Sequence, residues 1–72
     1  MTGYTGAAGQ LTRRQRQVLD QVAAGFTRRE IAVRLGISPE TVKRHIEDIL
    51  ARMDARNAAQ AVAKARRAGA LS

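Results

Sequence analysis

Within a 72-residue chain, Thr27, Arg28, Arg34, Ser38, Thr41, Lys43, Arg44 and Glu47 lie close together in sequence. Most of them donate hydrogen bonds. An arginine fork offers two parallel N–H groups to a pair of acceptors, a lysine offers a compact charge, and a hydroxyl donates or accepts. Such a set suits phosphates and polar edges rather than bond-breaking. There is no Gly-Lys-Ser/Thr phosphate loop and no cysteine, and His45 is the sole histidine. No nucleophile is spaced to meet a base in so short a chain. No catalytic residue, cofactor or metal site is expected, and the chain is not expected to be an enzyme.

Thirteen Lys and Arg against six Asp and Glu give a net charge of +7, and all the cations except Lys43 and Lys64 are arginines. A basic domain of this size suggests a polyanionic partner. Tyr4 and Phe26 are the only aromatic residues, too few for the stacking platforms of single-strand and RNA binders. Double-stranded DNA is therefore the expected partner. No apolar run reaches the ~20 residues that span a bilayer. The last helical segment offers mostly alanine opposite its cations, a poor surface for membrane insertion. The expectation is a soluble, cytoplasmic protein without a membrane partner.

The elements that position these residues are all helical, since apolar residues recur at three- and four-residue intervals. Thr12 can cap a first helix from Arg13 to about Ala24, with Gln15 at the capping-box position and Gly25 as the stop. Val18, Leu19, Val22 and Ala23 form its apolar stripe. Thr27 and Glu30 make a capping box for a second helix from Arg28 to about Leu35, with Ile31, Ala32 and Leu35 facing inward. Phe26 pairs with Ile31, and Ile37 with Val42, as hydrophobic staples. Gly36 ends the second helix in a left-handed conformation. Ser38 caps a third helix whose first turn accepts Pro39, and Val42, Ile46, Ile49, Leu50 and Met53 trace its apolar face. Asn57 can cap a fourth helix from Ala58 to about Ala68. Residues 1–10 are expected to be a flexible segment ahead of a single domain spanning 11–72, with the last two residues frayed.

A short helix, a turn of Gly36-Ile37-Ser38 and a longer helix over 39–53 make a helix-turn-helix. At ~100° per residue, the third helix turns Glu40, Arg44, Glu47 and Ala51 away from its apolar face, with Lys43 and Asp48 at the flanks. In this motif the second helix enters the major groove and its N-terminal part meets base edges. Arg44 can donate to guanine, Glu47 can accept from cytosine N4, and Lys43 can reach a base or a phosphate. Lys43 and Glu47 are also spaced for an i,i+4 ion pair. Thr27, Arg28, Arg34, Ser38 and Thr41 are the candidate contacts to the DNA backbone. The free N–H groups at the start of the third helix point the same way.

These residues carry a specific resemblance. The run Ile31-Ala32, Leu35, Ile37-Ser38, Thr41-Val42-Lys43 and His45 resembles the LuxR-type (GerE-like) DNA-binding domain. The likeness extends from Leu11-Thr12, Arg14, Val18-Leu19 and Ala24-Gly25 through Glu30, Ile49-Leu50 and Ala61-Val62 to Gly69, covering roughly residues 11–71. It implies an all-α, four-helix LuxR-type helix-turn-helix domain, a tri-helical core with a C-terminal fourth helix. It also implies that Lys43, Arg44 and Glu47 face bases while Thr27 and Thr41 lie near phosphates. A further implication is that the fourth helix pairs two copies as a homodimer on DNA, through the small face of Ala58, Ala61, Val62 and Ala65.

The chain departs from the family pattern at three places. Gln15 stands where Glu is usual, Ala58 where Arg is usual, and Met53-Asp54 where Leu-Gly is common. These imply a looser joint between the first and fourth helices and an altered exit from the third. Members commonly carry a receiver or ligand-binding domain upstream, so the chain is either a stand-alone regulator or an excised effector domain. The expected function is sequence-specific DNA binding by a transcription regulator. The alternative is an interaction module that modulates a related regulator or RNA polymerase, which makes polymerase a further candidate partner.

Overall fold

The computed structural model describes residues 11–69 and 71. The expected flexible segment 1–10 lies outside the described residues. Four helices follow one another: α1 Arg13–Ala23, α2 Arg28–Leu35, α3 Pro39–Met53 and α4 Ala58–Arg67. No strand occurs among the described residues, and the architecture is the all-α, four-helix one that the sequence implies. The expected ends near Ala24 and Ala68 each fall on the C-cap residue, one position beyond the last helical turn.

Each helix starts on the cap its sequence provides. Thr12 accepts from the Gln15 N–H at 3.0 Å while the Gln15 side chain accepts from the Thr12 N–H at 2.9 Å. Thr27 and Glu30 exchange the same pair of bonds at 3.1 and 2.8 Å. Ser38 accepts from the Thr41 N–H at 3.1 Å, and Asn57 from the Gln60 N–H at 2.8 Å. Each such cap contributes about 1 kcal/mol by satisfying an otherwise orphaned donor. Gly36 closes α2 at φ 69°, where a side chain would be strained. Ile37 then donates back to the Ala32 carbonyl at 3.0 Å, which sets the sharp angle between α2 and α3.

The core is centred on α3. Val42, Ile49 and Met53 pack among Val18 and Leu19 of α1, Ile31 and Ala32 of α2, and Ala61, Val62 and Ala65 of α4. Ile46, Leu50, Val22, Ala23, Leu35 and both staple residues, Phe26 and Ile37, pack around this set. Leu11 and Leu71 close the two ends, so the expectation that the last two residues fray is corrected at Leu71, which is 8% exposed.

The small face of α4 packs largely inward. Ala61 and Ala65 are fully buried, Val62 nearly so and Ala58 partly, all within this one chain. Ala61, Val62 and Ala65 are thus engaged in the chain's own core, while Ala58 keeps part of its surface open. The helices α1 and α4 pack directly together, and Gln15 is buried in its capping box. At the end of α3, Asp54 adopts the left-handed conformation at φ 52°, ψ 48°, which Asp tolerates better than most residues. Lys64 of α4 reaches back to donate to the carbonyls of Met53 at 3.2 Å and Asp54 at 2.6 Å. Its ammonium thus sits at the negative end of the α3 dipole and ties α4 to that helix.

Candidate nucleic-acid interface

The inward face of α3 is apolar, so its outward face must carry the polar residues of the same helix. Glu40, Lys43, Arg44, Glu47 and Asp48 are all exposed there. Glu40, Arg44 and Glu47 stand in one column, at spacings that permit ion pairs. Among the described residues none of these three, nor Lys43, makes a side-chain hydrogen bond or ion pair. The Lys43–Glu47 pair that the spacing allows does not form, and the side chains project outward without internal partners. His45, on the edge of the apolar face, is half-buried.

Beside this face, α2 and the first turn of α3 enclose a groove of about 320 Å³ lined by Arg28, Arg29, Pro39, Glu40 and Lys43. The structure thus joins Arg28 to Lys43 across the turn. It also brings in Arg29 and Glu40, two residues that sequence reasoning did not select for contact. Their positions beside Arg28 and in the outward column were legible, but their convergence on one groove depends on the angle between α2 and α3.

The hydroxyls serve first as caps. Thr27 Oγ1 accepts from Glu30, which leaves its own proton available to donate. Ser38 Oγ and Thr41 Oγ1 lie 2.8 Å apart, so one proton joins them and one remains for an outside acceptor. All three residues are exposed, with α2 and α3 beginning beneath them. A cluster of free hydroxyl protons, cations and helix N-termini is chemically matched to phosphate oxygens.

Arg34 stands apart from that cluster. Its Nε donates to the Gln21 side chain at 3.0 Å and its guanidinium lies 4.2 Å from the centre of the Phe26 ring. It belongs to the corner between α1 and α2, in a shallow pocket with Arg29, Glu30 and the exposed Val33.

Fold and surface together define a helix-turn-helix domain of the DNA-binding kind, a tri-helical core braced by a fourth helix. A family model described as bacterial regulatory proteins, luxR family, matches residues 9–65. The chain belongs to this family, whose domains bind DNA in transcription regulation. It is similar to an uncharacterized transcriptional regulatory protein of Bacillus subtilis (strain 168), YhcZ, at 44% identity over 52 residues, covering 72% of this chain and 24% of that protein. It is 45% identical over 47 residues to the transcriptional regulatory protein FixJ of Rhizobium meliloti (strain 1021), covering 65% of this chain and 23% of FixJ. The transcriptional regulatory protein UhpA of Escherichia coli (strain K12) is 38% identical over 53 residues, covering 74% of this chain and 27% of UhpA. The chain thus spans about a quarter of the length of these curated relatives. Among the described residues, no helix is long and apolar enough to cross a membrane.

Proposed function

We propose that this domain binds duplex DNA sequence-specifically in a transcription regulator, with α3 lying in the major groove and no catalytic step of its own. The observation that carries this reading is the outward column of α3. It presents Arg44 and Glu47, with Lys43 at its flank, without internal partners and directly beside the groove of Arg28 and Arg29. Arg44 donates to guanine O6 and N7, Glu47 accepts from cytosine N4, and Lys43 serves a base edge or the adjoining phosphate. Arg28, Arg29 and the hydroxyls of Thr27, Ser38 and Thr41 hold the phosphate backbone and fix register. Arg34, held by Gln21 and Phe26, contributes longer-range attraction or a flanking phosphate contact.

Two copies pair on a palindromic site with their recognition helices roughly 34 Å apart, one turn of the duplex. Pairing uses the face that α4 still exposes, around Ala59 and Ala63, because its other small residues are covered. RNA polymerase is a further partner of the DNA-bound regulator, and the site of action is the cytoplasm.

The test is a titration of the chain alone into labelled duplex across a salt series. Counterion release requires log K to fall linearly with log salt, by about 0.9 per phosphate neutralised. Binding that is indifferent to salt, or absent at low salt, refutes the proposal and leaves a pure protein-interaction module in its place.

A further inference from the structure

The net positive charge of this chain lies outside α3. Three of the six acids, Glu40, Glu47 and Asp48, lie on α3 and match its three cations, Lys43, Arg44 and Arg52. The excess of +7 is therefore carried entirely by the other segments. A helix that only had to grip phosphates would not hold half the acids of a basic protein, since each carboxylate there opposes the polyanion.

Glu40 is the sharpest instance. Glu30 and Glu40 both stand in the first turn of a helix, where the dipole favours a carboxylate, but only Glu30 is also tied down, accepting the Thr27 N–H in a capping box. The equivalent place in α3 belongs to Thr41, and Glu40 makes no side-chain hydrogen bond or ion pair among the described residues. It is exposed, one helical turn from Arg44, inside the groove lined by Arg28, Arg29 and Lys43. A backbone phosphate attracted by those cations meets this carboxylate in the same groove. Major-groove edges offer one kind of relief, the exocyclic amine of cytosine N4 or adenine N6, which donates to a carboxylate.

We infer that Glu40 is a specificity-determining residue, a filter that weakens binding to any duplex not presenting a cytosine or adenine amine within its reach. The inference rests on the proposal that α3 enters the major groove, and deepens it. Glu40 sets the gap between specific and non-specific DNA, while Arg28, Arg29 and Lys43 set the common affinity. Its removal tightens the grip on random DNA and erodes discrimination.

The experiment compares the 72-residue chain with Glu40→Gln, Glu40→Asp and Asp20→Asn on two probes. One is a duplex of random sequence and the other is the duplex that the wild type selects from a random pool. Glu40→Gln should bind the random duplex about five-fold more tightly at low salt, a gain that screening shrinks as salt rises. It should gain less on the selected duplex, so that the ratio of the two affinities falls. Glu40→Asp should retain the wild-type ratio. Asp20→Asn, which changes net charge equally from the exposed side of α1, should leave the ratio unchanged.

If Glu40→Gln binds random duplex no better than wild type, or if Asp20→Asn lowers the ratio equally, the inference is overturned. If the wild type binds neither duplex, the underlying proposal fails first and the filter falls with it. Urea unfolding curves that show every variant fully folded under the binding conditions establish that the differences do not arise from the fold.

Discussion

Helices α3 and α4 handle charge in opposite ways. On α4, Lys64 is tied by hydrogen bonds to two carbonyls of the neighbouring helix, and Gln60 accepts from the Arg56 N–H at 2.7 Å. On α3, Glu40, Arg44 and Glu47 stand at ion-pairing distance along the chain and remain unpaired. Their apolar faces, by contrast, are used alike, for both are buried in the same core. The difference is that Lys64 of α4 is engaged in holding the end of α3, while Glu40, Lys43, Arg44 and Glu47 of α3 have no such task and, on the proposed function, meet DNA. Structural stability and DNA recognition should therefore separate cleanly under mutation.

The largest expected effect comes from the buried side of α3. Ile49→Ala removes a side chain that is 1% exposed. It should cost about 2–5 kcal/mol of stability in urea unfolding, and DNA binding should be lost only in proportion to unfolding. On the outer side, Arg44→Ala should leave stability within about 0.5 kcal/mol and cost about 1–3 kcal/mol of binding to the preferred site. A fall in stability matching the fall in affinity would abolish the distinction between the two faces. Lys64→Met should do the reverse, removing about 1 kcal/mol of stability through two bonds to backbone carbonyls at a partly exposed position. Its salt slope for DNA should match that of wild type; a shallower slope would place Lys64 among the phosphate contacts.

Two smaller effects sharpen the picture. Arg28→Ala should weaken all duplex sequences alike and reduce the salt slope by about 1. A loss confined to one sequence would move Arg28 from the backbone to a base. Asp54→Gly should stabilise by roughly 0.5 kcal/mol, because glycine takes the left-handed exit of α3 without strain but loses more chain entropy on folding. Destabilisation there would indicate that the Asp54 side chain contributes more than its conformation costs.

Much of the fold was legible because its signals are local. The four N-caps, the two capping boxes, both staples and the Gly36 turn are each written within about five residues. The outward column of α3 followed from the same local periodicity. Contacts that join residues far apart in sequence were not legible. Lys64 reaching Met53, Arg34 reaching Gln21, and Leu11 and Leu71 closing the core all require the packed arrangement of helices. The packing of Ala61, Val62 and Ala65 within the chain itself could not be told from a contact with a second copy for this reason. Small residues permit close approach of any helix, and only the packing of α4 on α1 and α3 shows which one approaches. In the candidate interface, the convergence of Arg29 and Glu40 was not legible because their groove exists only once α2 and α3 meet.

The central claim is that the outer column of α3 reads base edges. Its most direct test is to measure wild type and Arg44→Ala against the selected duplex and against every single base-pair substitution of it. The account predicts that the wild type loses affinity at a guanine-bearing step and that Arg44→Ala becomes indifferent to that step alone, with the other positions still discriminated. An Arg44→Ala profile identical in shape to the wild type, merely weaker or not weaker at all, would contradict it.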